Sequence, residues 1–195
     1  MPRKYHITDV FTETPFGGNQ LAVLPDAAGL NDDDMLAIAR EFNFSETTFV
    51  FPPDDEKNTR KIRIFTPGGE LPFAGHPTVG TAFVLAECGE IDLSGNETRI
   101  VLEEKVGPIA VLIRSKAGRP VFVQLTAAKP PVRGNEKYDR AQVAAILSLD
   151  PDDVISNDEL TIEAVSVGVP FLFVPLRDLD AIARARVKVD LWEKT

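Results

Sequence analysis

The chain is predicted to be an α+β protein of two lobes, and three observations carry that prediction. Short apolar and β-branched runs recur between turn-forming clusters through most of its 195 residues, the pattern of a mostly antiparallel sheet. One segment, Pro77 to Glu87, is apolar around nearly its whole circumference, as a helix enclosed by sheet must be. A proline- and glycine-containing linker, Lys129-Pro130-Pro131 to Asn135, then separates a first lobe, residues 1–128, from a shorter stretch, residues 129–195.

Taken in order, Tyr5 to Phe11 and Leu21 to Leu24 read as strands joined by the turn formers Thr14-Pro15-Phe16-Gly17-Gly18-Asn19-Gln20. From Asn31 to Phe42, Met35, Leu36, Ile38, Ala39 and Phe42 fall at helical spacing. Asn31 suits the N-cap, and three aspartates fill the first turn, where the helix dipole favours them. Glu46 to Phe51 and Lys61 to Phe65 read as strands around an exposed turn, Asp54 to Arg60. Thr66 to Pro77 holds too much proline and glycine for either regular element, and the apolar helix follows it. Strands are expected at Thr98 to Glu103, Pro108 to Arg114 and Pro120 to Leu125. Beyond the linker come a helix, Arg140 to Leu147, strands at Ile162 to Val167 and Phe171 to Leu176, and a helix from Asp178 to about Arg186. The stretch from Pro15-Phe16 to Leu36-Ala37-Ile38-Ala39 has a short echo in Pro170-Phe171 to Leu179-Asp180-Ala181-Ile182-Ala183, which suggests two copies of one lobe.

Thirty acidic against twenty-one basic residues give a formal charge of −9, which repels phosphate backbones and disfavours nucleic acid as a partner. Apolar runs reach strand length only, so no membrane span is expected. The N-terminus lacks the features of a signal peptide, and a single cysteine, Cys88, suits a reducing compartment. A cytoplasmic location is the expectation. Cys88, near the end of an apolar helix, reads as a small core residue. Two distant histidines without an acidic or cysteine cluster argue against a metal site.

The chemistry concentrates at two places. With Pro77 at the first helical position, His76 becomes the N-cap and the amides of Thr78 and Val79 point free, a site for a small carboxylate. The dinucleotide and Walker patterns are both absent. Alternatively, Gly75 and Pro77 only shape a tight turn and His76 only caps it. Glu46, where a helix has ended and a strand begins, stands between apolar Phe44 and Phe49. Such surroundings favour a raised carboxyl pKa and acid–base work, although the same position also suits a solvated strand-end glutamate.

In combination, Asp9-Val10-Phe11-Thr12, Gly18-Asn19, Leu21-Ala22-Val23, Phe44-Ser45-Glu46-Thr47, Arg63-Ile64-Phe65-Thr66-Pro67, Glu70-Leu71 and Gly75-His76-Pro77-Thr78-x-Gly80 resemble the PhzF-like phenazine-biosynthesis proteins. The resemblance is dense over about the first ninety residues and continues weakly through Gly168-Val169-Pro170-Phe171. It implies a diaminopimelate-epimerase-like fold, two similar lobes that each wrap a sheet or barrel around a central helix. It also implies a cofactor-independent isomerase in which Glu46 moves a proton between carbons of a small carboxylic acid. Asn19, Gly75, His76, Pro77 and Thr78 would hold the substrate, and Ser45 and Glu70 would support the site. No metal is implied, and a homodimer is. Related racemases use two opposed thiols, which one cysteine cannot supply.

The sequence departs from the family late in the second lobe, where an acidic residue followed by Pro-x-Thr-Gly-Ser is expected. Asp150-Pro151 is followed by Asp152-Asp153-Val154 instead. The second lobe is therefore expected to be incomplete. The alternative to an enzyme is a truncated, non-catalytic binding or subunit protein that keeps one lobe of the cleft.

Overall fold

A computed structural model describes residues 2–127, 130–167 and 169–194. Lys129 of the predicted linker and Gly168 of the family-like Gly-Val-Pro-Phe run lie outside the described residues. The chain divides into two compact units, Met1–Lys129 and Pro130–Thr195.

In the first unit, β1 (His6–Val10), β2 (Asn19–Leu24), α1 (Asp32–Phe42), β3 (Glu46–Phe51), β4 (Arg60–Thr66), β5 (Gly69–Leu71), α2 (Gly75–Glu87), β6 (Glu97–Glu104), β7 (Gly107–Lys116) and β8 (Arg119–Thr126) follow one another. The eight strands form one mixed sheet in the order β1-β2-β3-β4-β6-β7-β8, with β5 paired to β4. The β2/β3 and β4/β6 pairs are parallel and the others antiparallel. Parallel neighbours need a crossover, and α1 supplies it between β2 and β3.

The sequence sets both ends of α1. The Asn31 side chain accepts from the Asp34 amide while the Asp34 carboxylate accepts from the Asn31 amide, a reciprocal box that satisfies two orphan donors. At the other end Asn43 turns left-handed at φ 53°, a conformation asparagine tolerates, and its amide bonds the Ala39 carbonyl. That turn stops the helix two residues before Ser45 and aims the chain into β3. Met35 and Ala39 of α1 pack with Leu24, Ala27, Phe49 and Phe65. Phe49 is fully buried, worth about 2–3 kcal/mol of apolar transfer, and meets Phe65 edge-on at 5.5 Å.

Helix α2 lies against β1, β2, β3, β7 and β8. Pro77, Thr78, Gly80, Thr81, Ala82, Val84, Leu85 and Ala86 are all buried, so the helix has almost no solvent face. Its start differs from expectation: it begins at Gly75 with Ala74 as N-cap, which puts His76 and Pro77 inside the first turn. Proline is tolerated there because none of the first helical N–H groups has a helical acceptor. The Thr78 amide is not free, since it donates to the Ala74 carbonyl at 3.3 Å.

Other expectations need correction. Gly69–Leu71, read as loop, is the short strand β5, stabilised by pairing with β4 rather than by propensity. Cys88 is exposed rather than core, with Sγ 3.5 Å from His6 Nε2. Pro15 and Phe16 lie in a loop, Phe16 at φ 64°, whereas Pro170 and Phe171 lie in a strand, so the echo between them is not one of local structure.

The second unit contains β9 (Val132–Arg133), α3 (Arg140–Ile146), a 3-10 turn (Pro151–Asp153), β10 (Glu163–Ser166), β11 (Pro170–Phe173), α4 (Leu179–Arg184) and α5 (Val189–Trp192). Strands β11, β10 and β9 form an antiparallel sheet. Val132–Arg133 was expected as linker, and α5 was not expected; both are too short to be legible as elements. Val143, Ala144, Val154 and Ile162 make a small core. The buried Asp153 accepts from both terminal nitrogens of Arg184, at 3.1 and 3.0 Å, and lies 2.9 Å from Arg177. Among the described residues, no helix is long and apolar enough to cross a membrane.

Candidate active site

Strands β2 and β3 run parallel with Leu21 level with Glu46, so Asn19, Ser45 and Glu46 emerge at the same edge of the sheet. The first turn of α2 comes to that edge. Gly80 sets the distance: a Cβ there would lie 2.7 Å from both Leu21 Cδ2 and Val10 Cγ2, so glycine allows the helix to press onto β1 and β2. Gly18 plays the matching part in the loop before β2, where a Cβ would stand 2.5 Å from the Val10 carbonyl oxygen.

The result is one chain of polar groups. Ser45 Oγ donates to Asn19 Oδ1 at 3.1 Å, Asn19 Nδ2 stands 3.3 Å from His76 Nδ1, and His76 Nε2 faces Glu46 Oε2 at 3.4 Å. With Asn19 Oδ1 accepting from Ser45, its Nδ2 donates to Nδ1 and the imidazole proton resides on Nε2, towards Glu46. The side chains of His76 and Glu46 are 9% and 16% exposed. Burial, the largest influence, holds the imidazole below its ordinary pKa, while the Glu46 carboxylate and the Gln20 backbone pull the other way. His76 thus favours its neutral form and stands beside Glu46. The geometry between them falls short of a hydrogen bond, and both Glu46 Oε2 and His76 Nε2 are buried without a hydrogen-bond partner among the described residues. Such orphans are costly in a finished core and useful where a ligand completes them.

Four of the residues singled out from sequence, Asn19, Ser45, Glu46 and His76, therefore meet. Gly75 opens the helix beside His76. Pro77 and Thr78 face inward, and the Thr78 hydroxyl is engaged by the Ala74 carbonyl at 2.7 Å and Glu104 Oε1 at 2.5 Å. Glu70 lies in β5, where its carboxylate accepts two bonds from Arg63, at 2.7 and 2.9 Å, and one from Lys105 at 3.2 Å. Arg63 holds that carboxyl below its ordinary pKa and also bonds Asp32 at the start of α1. Arg63 of β4 thus ties α1, through Asp32, to β5, through Glu70.

Glu104 was missed. It is 8% exposed, and burial pushes its carboxyl up to about 7 against the opposing effects of the Thr78 hydroxyl and the Ala74 amide. Its signal was available: Thr98, Ile100, Leu102 and Glu104 alternate as the buried face of β6, so the glutamate continues an apolar stripe.

The family model for phenazine biosynthesis-like proteins, PhzC-PhzF, matches residues 8–195. The chain belongs to this family. As a PhzC-PhzF protein it is 41% identical over 192 residues to an uncharacterized isomerase of Mesorhizobium japonicum, covering 98% of this chain and 62% of that protein. It is 34% identical over 181 residues to the trans-2,3-dihydro-3-hydroxyanthranilate isomerase of Pseudomonas aeruginosa, covering 92% and 59%. Among solved structures, a predicted epimerase of Pseudomonas aeruginosa superposes with a TM-score of 0.82 at 34% identity, over 99% of this chain and 66% of that one. The fold is accordingly that of PhzF and epimerase-like proteins. The chain spans less than two thirds of the length of these two curated relatives.

Proposed function

We propose that this chain carries the proton-transfer half of a cofactor-independent isomerase, with Glu46 as the acid–base group. The observation that carries the proposal is the pair of unpartnered buried atoms, Glu46 Oε2 and His76 Nε2, presented at the end of the Ser45–Asn19–His76 chain. Glu46 takes a proton from one carbon of the substrate, the electron pair shifts along the adjacent unsaturation, and the protonated Glu46 returns the proton to another carbon. The product is an isomer, and no redox partner is required. His76, neutral and buried, orients the carboxylate by its Nε2–H, and the contact tightens when substrate excludes water. A substrate carboxylate fits the first turn of α2, where Gly75 and His76 carry N–H groups without helical acceptors and the dipole favours an anion.

The substrate class is a small, unsaturated cyclic carboxylic acid, with trans-2,3-dihydro-3-hydroxyanthranilate as the first candidate because a 34% identical relative bears that activity in its name. The reading also carries a homodimer and a cytoplasmic location. A non-catalytic binding role is the second reading, favoured by the exposure of Asn19 and Ser45. Carbon-bound deuterium acquired from heavy water by a panel of such acids separates the two: uptake establishes catalysis, and saturable binding without uptake establishes the second reading.

A further inference from the structure

The Thr78 hydroxyl lies 2.7 Å from the Ala74 carbonyl and 2.5 Å from Glu104 Oε1, and both neighbours are acceptors when Glu104 is ionised. A hydroxyl has one proton and can donate to only one of them. Both contacts are hydrogen bonds only if Glu104 is the acid, donating to Thr78, which then donates to Ala74. Helix α2 has no capping side chain of its own, since Ala74 is its N-cap. Glu104, from the end of β6, meets this turn at the Thr78 hydroxyl and the Ala74 amide.

We propose that Glu104 is a positioning residue for the turn that carries His76. As a neutral acid it holds Thr78 and, through it, the Ala74 carbonyl; on ionisation the Thr78 hydroxyl turns to the carboxylate, the Ala74 carbonyl keeps only its 3.3 Å bond from the Thr78 amide, and the turn loosens. Burial favours the neutral form and outweighs the Thr78 hydroxyl and the Ala74 amide, which favour the ionised one. Among the described residues no cation is bonded to Glu104. Arg63 and Lys105, on the neighbouring strand and turn, are engaged by Glu70 and Asp32. Lys61 is engaged by Asp54, and Glu103 faces the Asp54–Asn58 loop. On α2, His76 faces Glu46 and Glu87 is engaged by Arg119. The proposal rests on the reading of His76 as part of the site, but its test does not depend on turnover.

The test is carbon-13 NMR of the full chain labelled at glutamate side-chain carboxyls and histidine rings, with Glu104 assigned by the signal lost in Glu104→Gln. The Glu104 carboxyl is expected to titrate near neutral pH, and the His76 ring signal to move at the same midpoint in wild type and not in Glu104→Gln. Glutamine keeps a neutral donor, so amide exchange at Thr78 is expected to stay slow in Glu104→Gln and to accelerate at least tenfold in Glu104→Ala. A Glu104 carboxyl already ionised below pH 5, or a His76 signal indifferent to it, would overturn the proposal. If deuterium uptake fails while these signals are linked, the functional reading falls and the role of Glu104 stands.

Discussion

Glu104 and His76 bury ionisable groups at one turn of one helix, and their pKa values move in opposite directions. Glu104 is raised from 4.5 to about 7, so its neutral form stabilises the fold fully below the unfolded value and that contribution is lost as pH rises to 7. The window is worth on the order of 3 kcal/mol at about 1.4 kcal/mol per pH unit. His76 is depressed, so its contribution runs the other way and is lost as pH falls below 6.5. Between pH 4.5 and 7, urea unfolding is expected to show wild type losing stability relative to Glu104→Gln, a comparison in which the His76 contribution cancels; a difference that does not change with pH would contradict the assignment. At this scale the sequence was informative where polar residues interrupt turns, as at Asn19, Glu46 and His76. Glu104 was not singled out, because a buried polar pair with Thr78 is recognised only from the face of β6 that meets α2, a contact made across 26 residues.

Helix α1 and helix α2 are positioned by different means, and each means can be removed singly. Asn31→Ala deletes the reciprocal cap of α1 and is expected to cost about 1 kcal/mol, read from the denaturation midpoint at unchanged slope. Gly80→Ala places a methyl 2.7 Å from buried Leu21 and Val10 side chains. Overpacking of about 1–3 kcal/mol outweighs the helix propensity gained, roughly 1 kcal/mol, so the variant is expected to be less stable and to weaken the approach of His76 to Glu46. A variant as stable as wild type would show that α2 does not rely on this close approach. Long periodic elements such as α1 were legible because local signals and packing agree. The start of α2 was misplaced because proline suits any position of a first turn, and β5 and β9 were not seen because two or three residues carry no period and are set by their partners.

Across the whole molecule, the apolar helix and the runs of alternating residues pointed to the α+β class and to one wrapped helix in the first unit. The mixed character of the sheet was not legible, because parallel pairing at β2/β3 and β4/β6 depends on where crossovers return. Large apolar side chains stand exposed in the second unit, including Phe171, Phe173 and Leu179 at 61%, 55% and 82%. Surfaces of that kind favour association. Light scattering is expected to give a mass of a homodimer rather than the 21.3 kDa of one chain, and a monomer at every concentration would remove the dimer from the proposal.

Proton transfer by the Glu46 carboxylate is checked by deuterium uptake from heavy water into trans-2,3-dihydro-3-hydroxyanthranilate, followed by proton NMR. Wild-type protein is expected to place deuterium at carbon. Glu46→Gln, of the same shape but unable to accept a proton, is expected to do so about 10²–10⁴ times more slowly while remaining folded. Equal uptake by both proteins would show that proton transfer occurs without Glu46.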